Sequence, residues 1–317
     1  MSRLEFNALE LINGVRIRGG VSEGEFLIIL GRNGSGKSLF LKTLAGIIPA
    51  RSGSVLLDGA PLSEALLKRR KAGLGGLFSY VPQSFQTGFP LTVRETVILG
   101  RARGVFGRRG HSERSNARAA GGSSGAACAE NDADSILKRL GIWHLRDSYT
   151  DRISGGELAL VSLARALMQG GRFLVLDEPE ANLDVSKKAE FYRLIRGLMR
   201  TDRGCGQNCE YVDDNGENSV DNTVKSVNNV VDKNADKGKE SLPGIVFVTH
   251  DPLFALNLGD YPGFIGAFLR NGEFREFPAR ELTAGILEDI YATPAEIRVS
   301  DTGIRYPVFS ELLGSLA

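Results

Sequence analysis

The feature that most constrains this chain is a glycine-rich turn between a short apolar run and a helical pattern. The apolar run FLIIL occupies residues 26–30, GRNGSGKS follows at residues 31–38, and the helical run LFLKTLAGI comes next. Glycines at this spacing let the backbone curl with its N–H groups inward, and the positive end of the helix adds attraction for phosphate. The segment therefore predicts a phosphate-binding loop between a strand and a helix.

The side chains of this loop fit a nucleoside triphosphate and a magnesium ion. Lys37 is expected to reach the β- and γ-phosphates, and the hydroxyl of Ser38 is expected to bind Mg²⁺. The other candidate binding residues of the loop are Gly31, Arg32, Asn33, Gly34, Ser35, Gly36 and Leu39. An ordinary glycine turn before a helix is the alternative interpretation.

Three further apolar runs alternate with helical patterns along the chain. They are VLL at residues 55–57, FLVL at residues 173–176 and IVFV at residues 245–248. Short runs bounded by Gly, Asp or Pro are typical of strands buried on both faces of a parallel sheet. The prediction is an α/β fold with a mainly parallel sheet.

Polar residues follow two of these predicted strands. Asp177 ends the run FLVLD and is expected to coordinate Mg²⁺ through water, since ligands of α/β sheets bind at the carboxyl ends of the strands. Glu178 is expected to point to the other side and to polarise an attacking water. His250 is expected at the same rim, facing the γ-phosphate. The alternatives are a strand-terminating turn for LDEP and a structural role for the histidine.

The motif ISGGE provides a second candidate anion site. Ser154 and Glu157 have the S-x-x-E spacing of a capping box, which predicts a helix start before the run at residues 158–169. Gly155 and Gly156 lie within the capped end, where backbone N–H groups attract anions. Two anion sites in one chain are explained if each contributes to a nucleotide held between two copies.

These motifs, in this order, resemble the ATP-binding subunits of ABC transporters. Gln83 in YVPQ is similar to the glutamine loop of that family, ANLD at residues 181–184 to its D-loop, and THD at residues 249–251 to its histidine loop. The resemblance covers nearly all of residues 20–275, apart from two insertions. It implies a P-loop NTPase core with a mainly parallel sheet, plus a helical signature subdomain.

The resemblance also implies roles for individual residues. A head-to-tail homodimer is expected, in which one chain completes the γ-phosphate site of the other through Ser154, Gly155 and Gly156. Glu178 is implied as the general base and His250 as a sensor of the γ-phosphate. Gln83 is implied as a contact of Mg²⁺ and of the attacking water, and Asp184 as a residue at the interface between the chains. The cofactors implied are ATP and Mg²⁺.

The same resemblance divides the chain into segments. A nucleotide-binding domain is expected over residues 1–275, with its core at about 1–90 and 155–275. The helical subdomain is expected at about 91–154, and a C-terminal extension over residues 276–317.

Two segments have compositions that do not favour a packed core. Residues 104–131 are rich in Gly, Ala, Ser and Arg and predict a flexible insertion. Residues 201–241 are dominated by Asp, Asn, Lys, Gly and Val, so they bury too little apolar area to offset the entropy of ordering. We expect this second insertion to be disordered.

Charge and hydropathy narrow the possible partners and the location. The formal net charge of +1 provides no strong field for nucleic acid, so no nucleic-acid partner is expected. No apolar stretch approaches the ~20 residues needed to span a bilayer. We expect a peripheral subunit on the cytoplasmic face of the membrane. The resemblance implies integral-membrane permease subunits as partners and, indirectly, an extracytoplasmic substrate-binding protein.

The transported substrate is indicated by two stretches outside the motifs. FPLTVRETVILGR at residues 89–101 and LTAGILEDIYATPAEIRV at residues 282–299 resemble importers of iron-siderophore complexes, haem and cobalamin. Import of zinc or manganese is an alternative. A cytosolic ABC protein without a transport role and a nucleotide-binding scaffold without hydrolysis also stay open.

Two aromatic contacts of the family have only candidate residues in this sequence. The aromatic residue that stacks on adenine has no clear counterpart, and Phe6, Ile12 and Asn13 are the candidates. Phe85 and Phe89, on the loop after Gln83, are candidates for the groove that receives a permease helix. The alternative is that both pack under the helical subdomain.

Overall fold

The computed structural model describes residues 1–44, 48–62, 77–101, 124–181, 183–199, 242–258, 261–269, 271–301 and 303–309. These residues fall into two compact units. The first unit consists of Met1–Ser84, Gly171–Ala181 and Pro243–Ala317, and the second of Phe85–Gly170 and Asn182–Leu242. In the described ranges, no helix has both the length and the apolar character needed to cross a membrane.

The first unit is built on a six-stranded sheet. Its strands are β3 (Phe26–Leu30), β6 (Phe78–Val81), β7 (Phe173–Asp177), β8 (Gly244–Thr249), β9 (Gly263–Phe268) and β10 (Phe274–Pro278), in the order β10-β9-β3-β8-β7-β6. The first five run parallel, and β10 is antiparallel to β9. Every residue of β3, β7 and β8 is buried, as apolar runs between two covering layers require. The predicted α/β fold with a mainly parallel sheet is confirmed.

A four-stranded antiparallel sheet belongs to the same unit. Its strands are β1 (Arg3–Glu10), β2 (Arg16–Ser22), β4 (Ser52–Leu57) and β5 (Ala60–Pro61), in the order β2-β1-β4-β5. The prediction that VLL is a parallel strand buried on both faces was wrong, because Val55 and Leu56 in β4 are only half-buried and pair antiparallel with β1. Three apolar letters do not distinguish these two environments.

The core of the first unit lies between these two sheets and helix α1 (Lys37–Leu44). The Phe6 and Phe40 rings meet edge to face at 5.1 Å within this core, beside the fully buried Leu4, Ile17 and Leu27. Because α1 is anchored there through Phe40, its first residues are held at the carboxyl end of β3.

Residues after β8 add smaller elements to the first unit. They are α6 (Leu253–Leu256), α7 (Ala284–Tyr291) and a hairpin of β11 (Ala295–Val299) and β12 (Arg305–Phe309). The predicted boundary between residues 275 and 276 falls inside β10, which pairs with β9 along its whole length. The C-terminal segment therefore begins after a strand of the main sheet.

The second unit is helical. It contains α2 (Val93–Ile98), α3 (Ser124–Arg139), α4 (Gly155–Gln169) and α5 (Val185–Gly197), with a 3₁₀ turn at Trp143–Leu145. A Cβ on Gly100 would meet the carbonyl oxygen of Arg165 at 2.3 Å, so the end of α2 packs closely on α4. Since α4 belongs to this unit, the division differs from the predicted subdomain boundary at residue 154.

Helix α3 corrects part of the predicted insertion at residues 104–131. The helix begins at Ser124, and Ala129, Ala133, Ile136 and Leu137 lie on one buried face of it, at helical spacing. A composition rich in alanine and glycine concealed this pattern. Residues 102–123, and the predicted insertion at residues 201–241, lie outside the described residues.

Candidate phosphate-binding and catalytic site

The phosphate loop is the turn between β3 and α1 in the first unit. Its backbone has positive φ at Gly34 (+80°) and Gly36 (+112°), a conformation that side chains with a Cβ rarely adopt. The Nζ of Lys37 donates to the carbonyl oxygens of Gly31 (2.8 Å) and Arg32 (3.0 Å), so the lysine lies buried inside the loop. The predicted strand, loop and helix are therefore present in the predicted order.

The remaining loop residues differ in their exposure to solvent. Arg32, Asn33, Gly34 and Ser38 are exposed, while Ser35, Gly36 and Leu39 are half-buried. The exposed residues lie where a phosphate chain can approach the loop from solvent.

Asp177 lies at the carboxyl end of β7 and is buried. Its Oδ2 accepts a hydrogen bond of 2.9 Å from the hydroxyl of Tyr80 in β6, while its Oδ1 has no hydrogen-bond partner among the described residues. Burial raises the pKa of Asp177 above its ordinary value, the charge of Glu178 adds to the rise, and the Tyr80 hydrogen bond opposes it. Burial and the Asp177 charge also raise the pKa of Tyr80, so that its hydroxyl stays a donor.

Glu178 is the centre of the site. Its backbone has φ of +44°, a conformation that is uncommon for a residue with a side chain. The backbone N–H of Glu178 donates to the carbonyl of Val248 at 2.9 Å, which ties this strained residue to β8. Strain of this kind persists where surrounding bonds impose it, and it is common at functional sites.

Three side chains from different elements meet the carboxylate of Glu178. The Nζ of Lys37 lies 3.4 Å from Oε1, and the amide of Gln83 donates to Oε2 at 3.1 Å. The Nδ1 of His250 lies 3.3 Å from Oε2. The structure thus brings together the residues predicted from the phosphate loop, the glutamine loop, the β7 end and the histidine loop.

Two contacts near this carboxylate were missed by the sequence interpretation. The hydroxyl of Tyr80 reaches Asp177, and the hydroxyl of Tyr291 donates to the backbone carbonyl of His250 at 2.7 Å. Tyr80 lies at the carboxyl end of a strand, three residues before Gln83, and that position could have identified it. Tyr291 carries no comparable signal.

Glu180 is fully buried beside the same rim. Its Oε1 accepts a hydrogen bond from the hydroxyl of Thr249, the last residue of β8. The hydroxyl of Thr249 also accepts from the N–H of Asp251 at 2.8 Å. The turn that carries His250 is therefore linked by hydrogen bonds to the turn after β7.

The signature motif lies at the start of α4 in the second unit, and it forms the predicted capping box. The Ser154 hydroxyl accepts from the N–H of Glu157 at 3.3 Å, and the Glu157 carboxylate accepts from the N–H of Ser154 at 2.7 Å. Hydrogen bonding of the Glu157 carboxylate to the Ser154 side chain and to its backbone N–H lowers the pKa of Glu157. Gly155 is exposed and Gly156 is buried, and α4 ends at Gly170 with φ of +66°.

Asp184 is the N-cap of α5 in the same unit. Its carboxylate accepts from the N–H of Lys187 at 2.9 Å and from the hydroxyl of Ser186 at 2.7 Å. These two hydrogen bonds lower the pKa of Asp184. The side chain is exposed, and its predicted role between two chains stays a prediction.

The candidates for stacking on adenine are separated by their burial. Phe6 is wrong as a candidate, because its ring is buried against Phe40 in the core and presents no face to a base. Ile12 is 57% exposed in the turn between β1 and β2. A Cβ on Gly36 would meet the Nδ2 of Asn13 at 2.9 Å, so this turn lies against the phosphate loop.

The glycine-rich loop encloses Lys37, and the carboxylates of Asp177 and Glu178 lie at the end of β7. This combination defines a P-loop nucleotide-binding protein. The more specific assignment comes from residues 15–181, which match the family model described as ABC transporter. The chain belongs to the ABC transporter family. Membership of this family makes ATP the nucleotide that the phosphate loop binds.

The chain is similar in sequence to ATP-binding proteins of two named transport systems. The chain is 37% identical over 186 residues to a hemin import ATP-binding protein, HmuV, of Nocardia farcinica, covering 57% of this chain and 56% of that protein. It is 34% identical over 196 residues to a probable metal transport system ATP-binding protein of Thermotoga maritima, covering 61% of this chain and 65% of that protein. The chain thus spans less than two thirds of either relative.

A solved structure resembles the whole fold. A metal-chelate type ABC transporter in an inward-facing conformation has a TM-score of 0.65 and 18% identity, with 98% of both chains covered. At this identity the likeness supports the fold alone.

Proposed function

We propose that this chain hydrolyses ATP to power an ABC importer, with an iron complex, haem or cobalamin as the imported substrate. The observation that carries the proposal is the cluster of Lys37, Gln83 and His250 around the buried carboxylate of Glu178. A carboxylate held beside a phosphate loop can take a proton from water, and its neighbours can orient that water or stabilise charge on phosphate.

The proposed reaction assigns each side chain a step. A water oxygen attacks the γ-phosphorus, the bond to the bridging oxygen breaks, ADP and phosphate leave, and Glu178 accepts the proton of the water. Lys37 binds the β- and γ-phosphates, Gln83 orients the water, and an N–H of His250 stabilises the charge on the γ-phosphate.

The residues at the rim fit a magnesium ion. The buried Oδ1 of Asp177 has no hydrogen-bond partner among the described residues, and the hydroxyl of Ser38 is exposed one residue after Lys37. Mg²⁺ prefers oxygen ligands and keeps several waters, so few protein ligands are needed. When bound, the ion supplies positive charge to the β- and γ-phosphates.

The proposed active form is a head-to-tail homodimer. Ser154, Gly155 and Gly156 of one copy contact the γ-phosphate bound by the other, and Asp184 lies at the interface. The exposed, capped N-terminus of α4 supports this arrangement, because backbone N–H groups at such an end attract anions.

The proposed transport partners are permease subunits and, through them, an extracytoplasmic substrate-binding protein, with the chain on the cytoplasmic face of the membrane. Phe89, which is 77% exposed, is the proposed permease contact. Phe85 is a weaker candidate, because the guanidinium of Arg165 lies 4.3 Å from the centre of its ring.

The hemin import relative supports haem, and the metal transport relative supports a second candidate, the import of a metal ion such as zinc or manganese. Uptake assays with the assembled transporter, supplied in turn with haem, an iron chelate, cobalamin and Zn²⁺, separate these substrates. Stimulated uptake of Zn²⁺ alone contradicts the first candidate.

The central experiment compares the ATPase rate of the wild type with that of Glu178→Gln. Loss of the general base is expected to lower kcat by about 100-fold or more, while ATP still binds. Glu281→Gln, an exposed carboxylate of the same unit, is the matched control and is expected to keep the wild-type rate.

Two results contradict the proposal. Equal and negligible rates for the wild type and Glu178→Gln support a scaffold without hydrolysis. A Glu178→Gln protein that stays monomeric in light scattering at saturating ATP and Mg²⁺ contradicts the shared nucleotide site.

A further inference from the structure

The C-terminal segment reaches back to the catalytic rim within the first unit. The hydroxyl of Tyr291, the last residue of α7, donates to the backbone carbonyl of His250 at 2.7 Å. No residue of helix α7 was among the site residues predicted from the sequence. The contact therefore joins the segment after β10 directly to the histidine loop.

The position of Tyr291 is well determined by its surroundings. Leu287 and Ile290 anchor α7 in the core, and the ring of Phe309 packs edge to face on the tyrosine at 5.3 Å. Ala292 caps the end of the helix, and its N–H donates to the carbonyl of Glu288 at 2.8 Å. Burial, with the charges of Asp251 and Glu178, raises the pKa of Tyr291, so the hydroxyl stays a donor at neutral pH.

A second connection joins the same two segments. The Nδ2 of Asn257, just after α6, donates to the carbonyl of Arg305 in β12 at 2.7 Å. The N–H of Arg305 donates in return to the Oδ1 of Asn257 at 2.9 Å. Residues 250–257 are therefore held at both ends by the C-terminal segment.

The histidine depends on this support because packing alone does not enclose it. The side chain of His250 is 43% exposed, and its Nδ1 lies 3.3 Å from the Glu178 carboxylate. The residue follows the last residue of β8, so it lies beyond the regular ladder of the sheet. A shift of the His250 backbone would move the imidazole relative to Glu178 and to the phosphates.

We propose that Tyr291 is a positioning residue for ATP hydrolysis, whose hydroxyl holds the His250 backbone so that the imidazole faces Glu178 and the γ-phosphate. The inference rests on the proposed function of His250. In this role Tyr291 acts through the backbone of His250. The C-terminal segment is thus part of the catalytic architecture.

The first test is Tyr291→Phe, which removes one hydroxyl and keeps the ring. Loss of one buried hydrogen bond is expected to lower kcat by about 3- to 10-fold. KM for ATP is expected to stay within about twofold, because binding by the phosphate loop is unaffected. Tyr306→Phe removes a hydroxyl from an exposed residue of the same segment and serves as the matched control. It is expected to keep wild-type kinetics.

The second readout is the NMR signal of the His250 imidazole. The chain has only three histidines, so this signal is assigned by its loss in His250→Ala. Tyr291→Phe is expected to shift or broaden it, and Tyr306→Phe to leave it unchanged. Wild-type kcat together with a wild-type imidazole signal in Tyr291→Phe overturns the proposal, as does a lower melting temperature with unchanged kcat.

A second variant keeps the idea testable if Tyr291→Phe does not fold. Asn257→Ala breaks the other connection and is expected to lower kcat with little change in KM. Unchanged kcat in a folded Asn257→Ala protein overturns the proposal in that case.

His250→Ala separates the proposed role of His250 from that of Tyr291. If this variant keeps the wild-type kcat, the proposed role of His250 fails and the inference fails with it. If His250→Ala loses activity while Tyr291→Phe keeps it, only the inference fails. In a His250→Ala background, Tyr291→Phe is expected to cause no further loss, and an additional loss of equal size overturns the positioning role.

Discussion

Two helices of the second unit, α2 and α4, begin with the same capping box and differ in the hydrogen bonding of their first two helical residues. In α2 the hydroxyl of Thr92 accepts from the N–H of Glu95 at 3.3 Å, and the Glu95 carboxylate accepts in return at 2.8 Å. The box of Ser154 and Glu157 in α4 has nearly the same distances. The box by itself therefore does not distinguish the two helix ends.

The difference lies in the N–H groups of the two residues after each N-cap. In α2, the N–H of Val93 donates to the carbonyl of Ser148 at 2.9 Å, and the N–H of Arg94 donates to the carbonyl of Arg146 at 3.0 Å. In α4, no residue in the described ranges accepts from the N–H of Gly155 or Gly156. Within the described residues, the end of α2 is closed by acceptors of its own unit, whereas the first two N–H groups of α4 have no acceptor, and we call this second end open. An open end beside small residues is the better indicator of a ligand site.

The largest effect is expected when the open end is filled. Gly155→Val places a branched side chain beside the proposed phosphate donors, the N–H groups of Gly155 and Gly156, and is expected to lower the ATPase rate by about 100-fold, as loss of preorganised donors does elsewhere. Gly155 is helical, and Val has the higher helix propensity, so melting temperature is expected to stay or rise.

Gly285→Val, at an exposed glycine in the first turn of α7, is the matched control for this measurement. A Gly155→Val protein with the wild-type ATPase rate breaks the distinction between the open and the closed helix end.

A smaller effect is expected when each capping box is broken in turn. Ser154→Ala and Thr92→Ala are both expected to lower the free energy of unfolding by about 1 kcal/mol, since each removes an N-cap acceptor. Only Ser154→Ala is expected to lower the ATPase rate, by about 10-fold, through loss of a hydrogen bond to phosphate. Urea unfolding and steady-state ATPase assays measure both quantities. Equal ATPase rates in the two variants show that the boxes do not differ in function.

The smallest effect on hydrolysis is expected at Phe89, shortly before α2. Phe89→Asp is expected to leave the ATPase rate of the isolated protein within about twofold, because the side chain is exposed and belongs to the second unit, whereas the residues around Glu178 belong to the first. Binding to permease-containing membranes is expected to fall at least about tenfold, as at an interface hot spot.

Sedimentation with these membranes measures this binding, and Ile304→Asp provides an exposed apolar control in the first unit. Retained binding by Phe89→Asp refutes the proposed permease contact.

Features that depend on neighbouring residues were predicted well. The phosphate loop and the Ser154 capping box need only a few residues with fixed φ preferences and hydrogen-bonding groups. The buried runs at β3, β7 and β8 could be recognised because a strand covered on both faces has no polar positions. The same reasoning failed for β4, whose apolar letters lie in a half-exposed antiparallel strand.

Features that join distant residues were not predicted. Tyr80 and Asp177 lie 97 residues apart, and Tyr291 and His250 lie 41 residues apart. Neither pair has a spacing rule, because each contact depends on which strands are neighbours and on how helix α7 packs.

The sequence by itself determined the chemistry of this protein: a loop for phosphates, two carboxylates at a strand end and a glycine-rich capped helix. These follow from backbone conformations and side-chain groups that a few adjacent residues specify. Only the tertiary structure decided that Lys37, Gln83 and His250 meet one carboxylate and that Tyr291 supports the histidine. It also decided that the first N–H groups of α2 find acceptors, while those of α4 find none among the described residues. Packing of distant segments brings these groups within hydrogen-bond distance, and local sequence does not encode that distance.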